Sequence, residues 1–168
     1  CIHCSSAHHR NGEKIELKED DPALLAQSGA FVTLNEHGQL RGCIGNLMGN
    51  QPLYLTVRDM AIEAAVDDWR FQKVQLPELK DIEIEISALS PLERVDSADK
   101  IQMGTHGVLI RKGFKSGVYL PQVATETGWP KEEFLSSLCS QKAGLPADAW
   151  KDKDTEIYIF TAEVFSEK

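Results

Sequence analysis

Ala30-Phe31-Val32-Thr33-Leu34-Asn35-Glu36-His37-Gly38-Gln39-Leu40-Arg41-Gly42-Cys43-Ile44-Gly45 reads as two strands around a turn. Ala30–Leu34 is rich in β-branched and aromatic residues, and Asn35-Glu36-His37-Gly38 is turn chemistry in which Gly38 supplies a positive φ. The chain therefore returns antiparallel through Gln39–Ile44. His37, at the tip, is expected to be solvated. On the return strand Leu40, Gly42 and Ile44 alternate with Arg41, Cys43 and Gly45, so Arg41 and Cys43 are expected to share a face. A cation beside a thiol favours the thiolate, the form that acts as nucleophile or metal ligand. Gly42 leaves room for a close neighbour. Gly45 to Gln51 forms a loop before a helix opening at Pro52, a setting whose free N–H groups suit an anion near Arg41. The plainer reading stands beside this one: a strand cysteine is often a small buried hydrophobe, and strand glycines often mark a bulge.

Outward from this hairpin, Leu53, Val57, Met60, Ala61 and Ala64 recur at helical steps and predict an amphipathic helix ending near Asp67-Asp68. Trp69-Arg70-Phe71 follows as a cation between two rings. Packing explains the rings, while Arg70 or the acidic pair can face a pocket. Ile82-Glu83-Ile84-Glu85-Ile86-Ser87 is the cleanest strand alternation. Its same-face carboxylates, about 7 Å apart, have acid–base spacing, but a solvated face explains them as well.

Val108–Lys112 and Val118–Leu120 predict a second hairpin, preceded by His106 in a flexible Gly104-Thr105-His106-Gly107 approach. Pro121 and Pro130 start helices. Phe134, Leu135, Leu138 and Cys139 form the apolar stripe of the second, which places Cys139 in the core. Ile157–Phe165 is expected to be one long final strand, central in a sheet. Hairpins interrupted by separate helices give an α+β fold with a largely antiparallel sheet flanked by helices.

With 168 residues, a net charge of −8 and a pI near 5.1, the chain is long enough for a real core and too acidic for nucleic acid as a default partner. No apolar run approaches a membrane span and no signal peptide is visible. Four irregularly spaced cysteines point to a reducing cytoplasm rather than a disulfide framework. Cys1, Cys4, His8 and His9 carry metal-binding donors but lack a second ligand pair, so they are only a weak alternative to having no metal site. No cofactor motif is present: the spacing Gly42, Gly45, Gly49 matches neither the dinucleotide fingerprint nor a phosphate loop.

Leu40-Arg41-Gly42-Cys43-Ile44-Gly45, Asp68-x-Arg70-Phe71, Leu89-Ser90-Pro91, His106-Gly107 and Leu120-Pro121-Gln122-Val123 occur in an order that resembles the AMMECR domain family. That family is named for the Alport syndrome, mental retardation, midface hypoplasia and elliptocytosis chromosomal region. Phe134-Leu135-x-x-Leu138-Cys139 and Tyr158-x-Phe160-Thr161-Ala162 fit it too, so the resemblance runs from about Ser28 to Phe165. It implies a large lobe from both chain ends, roughly 1–90 and 121–168, and a small inserted β lobe of roughly 91–120. It also implies membership of the AmmeMemoRadiSam set, beside a Memo-like protein and a radical S-adenosylmethionine protein as partners. The chain lacks Cys-x3-Cys-x-x-Cys and His-Glu-x-x-His, so it is not expected to be the radical or metal catalyst of that set.

Together these readings give an expected inter-lobe cleft that binds a small anionic ligand or reactive intermediate. Cys43 and His106 are its candidate catalytic residues, and Arg41, Gly42, Gly45, Asp68 and Arg70 its candidate ligand-binding residues. The rival expectation is a non-catalytic scaffold that docks a partner enzyme.

Overall fold

The computed structural model describes residues 16–167. The fold is α+β and falls into two compact units, the first reaching Pro91 and resuming at Glu163, the second spanning Leu92–Ala162.

In the first unit a short helix, α1 (Pro22–Leu25), precedes strands β1 (Ala30–Glu36) and β2 (Gln39–Asn46). Helix α2 (Leu53–Val66) follows, then a 3-10 turn (Leu76–Lys80) and β3 (Ile82–Leu89). The last strand of this sheet, β8 (Ala162–Ser166), arrives from the far end of the chain and gives the order β2-β1-β3-β8. The β1–β2 turn takes both His37 (φ 51°) and Gly38 (φ 77°) into the left-handed region, the pattern of a two-residue hairpin loop. One sheet face packs on α2: Val32, Leu34, Ile82 and Ile84 meet Met60, Ala61, Ala64 and Ala65 in one core. Of the stripe foreseen for this helix, Met60, Ala61 and Ala64 are buried and Leu53 and Val57 partly so, while Thr56, Ile62 and Ala65 are buried besides.

The register of the hairpin slips between Leu34 and Asn35, so that Leu34 opposes Gly42 while Asn35 opposes Leu40. Arg41 is thus the extra residue of a β-bulge. A bulge re-aims side chains, and Arg41 does not share Cys43's surroundings as strict alternation would have it.

The second unit holds β4 (Glu93–Val95), β5 (Gly107–Lys112), β6 (Lys115–Tyr119), α3 (Pro121–Thr127), α4 (Lys131–Ser137) and β7 (Glu156–Phe160). Its strand order is β4-β7-β5-β6. Phe134, Leu135, Leu138 and Cys139 fill its core with Val108, Ile110, Ile157 and Ile159. Past Ser137 the backbone widens into a π turn over Leu138–Lys142, with Ala143 N–H donating to Leu138 O at 3.1 Å.

Two expectations change here. The long final strand is two strands, broken at Thr161: β7 sits between β4 and β5, and β8 lies beside β3 in the other sheet. A middle lobe confined to about 91–120 is also too small, because β5 and β4 find their shared partner only at 156–160 and the helices from Pro121 supply their core.

Candidate functional site

β2 is the edge of its sheet, so its outer main-chain groups need partners from elsewhere. At Cys43 both are met by side chains. Its N–H donates to Asp68 Oδ2 at 2.9 Å, and its carbonyl accepts from Arg70 Nη2 at 3.2 Å. Because both groups point outward, Cys43 and its opposite residue Thr33 form the close, non-hydrogen-bonded kind of antiparallel pair. Their side chains meet accordingly: Thr33 Oγ1 donates to Cys43 Sγ at 3.2 Å, and the thiol is half-buried.

Asp68 is 6% exposed and carries the arrangement. Arg70 reaches it through Nε to Oδ1 at 2.9 Å and Nη2 to Oδ2 at 2.7 Å, and the Arg70 N–H donates to Oδ1 at 3.2 Å. The guanidinium, helped by the main-chain N–H groups of Cys43 and Arg70, holds the Asp68 carboxyl far below the usual carboxylate range against the opposing effect of burial. The same pairing raises Arg70. Arg70 also stacks on Phe71, 5.4 Å from the ring centre, while Trp69, between Asp68 and Arg70, is 90% exposed.

Arg41 is engaged differently. Its Nε and Nη2 meet Glu78 Oε1 and Oε2 at 2.8 and 3.3 Å, and its Nη1 donates to Gln72 O at 2.8 Å. Glu78 is lowered by that guanidinium first, and also by the Gln75 N–H. The bulge turns Arg41 toward the 3-10 turn, where Glu78 and the Gln72 carbonyl answer its charge. The loop-to-helix anion seat expected near it is partly used as well, since Leu53 N–H donates to Ala26 O at 2.9 Å.

Gly42 and Gly45 serve packing. A Cβ on Gly42 would lie 2.2 Å from Ala64 O of α2, and one on Gly45 would lie 2.2 Å from the Phe31 ring. His106 belongs to the second unit, where its Nδ1 accepts the Gln102 N–H at 3.1 Å. Cys1, Cys4, His8 and His9 lie outside the described residues. Sequence reasoning missed Thr33 and Glu78. Glu78 carried a usable signal, a carboxylate at the third position of a proline-opened turn. Thr33 did not, because its pairing depends on the bulge.

The AMMECR1 family model matches residues 1–165. A protein of Thermococcus onnurineus is 48% identical over 170 residues, covering 95% of this chain and 82% of the relative. A Methanopyrus kandleri protein is 42% identical, covering 94% and 80%. The crystal structure of an uncharacterized protein from Pyrococcus horikoshii superposes with a TM-score of 0.91 at 41% identity, over 99% of this chain and 87% of that one. No helix among the described residues is long and apolar enough to cross a membrane.

Proposed function

Within the AMMECR1 family, to which this chain belongs, we propose that Cys43 is the reactive or ligating group of a small-molecule site and that Arg70 holds an anionic part of the ligand beside it. The observation that carries this reading is the half-open guanidinium of Arg70. Nε and Nη2 are committed to Asp68 and Cys43 O, yet the side chain is 42% exposed. Nη1 meets no hydrogen-bond acceptor among the described residues.

Asp68 and Arg70 cancel in net charge, so the attraction is directional. A carboxylate or phosphate oxygen gains a charge-assisted bond from Nη1 and is brought near the thiol. Arg41 takes no part in holding the ligand: with Glu78 it fixes the strand that bears Cys43. Gly42, Gly45 and Asp68 support the site from behind, and His106 stays outside this reading.

Native mass spectrometry of the purified protein, with and without added carboxylate and phosphate metabolites, tests it. Expected is a bound small molecule whose retention drops in both Cys43→Ala and Arg70→Gln. Equal retention in wild type and both variants defeats the proposal.

A second reading is supported by the exposed apolar side chains around the same edge, Trp69, Leu40 and Leu76. They suit the docking of a partner enzyme, for which the family resemblance suggests a Memo-like or radical S-adenosylmethionine protein. Binding to such a partner that survives Cys43→Ala and is lost in Trp69→Ala would favour docking.

A further inference from the structure

The tip of the first hairpin carries three donors that the Cys43 site does not use. Glu36 ends β1 and His37 opens the turn, while Asp81 sits where the 3-10 turn ends. Register brings them together: Glu36 opposes Ile82, so Asp81, one residue earlier, supplies a second carboxylate at the same end of the neighbouring strand. One imidazole nitrogen and one oxygen from each carboxylate all lie within 4.8 Å of one another.

Two carboxylates this close repel unless a cation lies between or beside them. Among the described residues, Asp81 meets only the Lys80 ammonium at 3.9 Å, from a side chain that is mostly exposed, and Glu36 meets no Lys or Arg. We infer that Glu36, His37 and Asp81 bind a divalent first-row transition ion of the zinc kind. Imidazole with two carboxylates is a zinc-type donor set, and all-oxygen seats suit magnesium and calcium better. Bonds of about 2.0–2.1 Å place tetrahedral ligands roughly 3.4 Å apart, so binding draws the three side chains inward from their spacing of up to 4.8 Å. Three protein ligands leave a position for water or for a group from another molecule. In this position the ion pins the β1–β2 turn to the start of β3.

Cobalt(II) titration followed by visible absorption, with zinc competition, tests the site. The full chain carries Cys1→Ser, Cys4→Ser, His3→Ala, His8→Ala and His9→Ala, which silences the N-terminal donors. One equivalent of cobalt is expected to bind, to be displaced by zinc and to resist magnesium and calcium. His37→Asn keeps a residue that tolerates the left-handed turn and is expected to abolish that equivalent. Glu36→Gln and Asp81→Asn, which leave the turn untouched, are each expected to weaken it about tenfold or more. On heating in EDTA, Glu36→Gln and Asp81→Asn should unfold no lower than the parent, since each relieves the carboxylate repulsion, and zinc should raise the midpoint only where all three donors remain. The same stoichiometry and affinity in the parent and in His37→Asn, or binding only at millimolar metal, overturns the inference.

Discussion

Cys43 and Cys139 carry the same thiol in two settings. Cys139 lies in the π turn of the second unit with 0% exposure, and burial pushes its thiol up. Aliphatic and aromatic side chains surround it, and its carbonyl accepts the Leu145 N–H at 2.8 Å. Cys43 lies on a sheet edge, half-buried, with a hydroxyl on its sulfur and its main chain held by an ion pair. Neighbours differ more than depth does. One thiol is packing material, while the other accepts a hydrogen bond from Thr33 on a main chain held by Asp68 and Arg70.

The sharpest way to break this contrast is alkylation of the folded protein with iodoacetamide, mapped by mass spectrometry. Cys139 reacts only when the second unit opens, so Cys43 should react at least about a thousandfold faster. Comparable rates would erase the distinction. Next in size is Asp68→Ala, which leaves Arg70 and the Cys43 N–H without their partner and should cost about 3 kcal/mol in denaturant unfolding. Cys139→Ser puts a hydroxyl into an apolar core and should cost about 2 kcal/mol. Cys43→Ser, already beside a hydroxyl, should stay within about 0.5 kcal/mol.

Acid adds a further test on the Cys43 side. The folded carboxyl of Asp68 lies below its unfolded value of about 3.9, so its contribution is complete above that pH and is lost as the pH falls further. Asp68→Asn should remove that part of the acid sensitivity, read from unfolding midpoints between about pH 5 and pH 2. The smallest effect is expected for Trp69→Ala, within about 0.5 kcal/mol, since the ring is almost wholly exposed.

The hairpin shows how much was legible beforehand. Its strands, its turn and the burial of α2 follow from alternation and helical spacing, which depend only on local chemistry. The bulge does not. Counting outward from a two-residue turn sets Leu34 against Arg41 and Val32 against Cys43, which would point the cysteine into the core. One extra residue reverses this, bringing Gly42 against α2 and Cys43 against Thr33. For the same reason Arg41 could not be read as the partner of Glu78, 37 positions away. The break at Thr161 was hidden by an apolar run that continues through it. Nothing local distinguishes one strand from two when both halves are hydrophobic.

That break has a consequence for the order in which the protein takes shape. When synthesis has reached Phe160, the second sheet holds all four of its strands, but the first holds only three. The outer edge of β3 is then unpaired, including the Ile84 carbonyl that Glu167 N–H later meets at 3.0 Å. An unpaired edge can recruit strands from other chains. The half that begins first is thus completed only by residues that follow the whole of the second, and in that interval β3 is the place where a crowded polysome would misassemble.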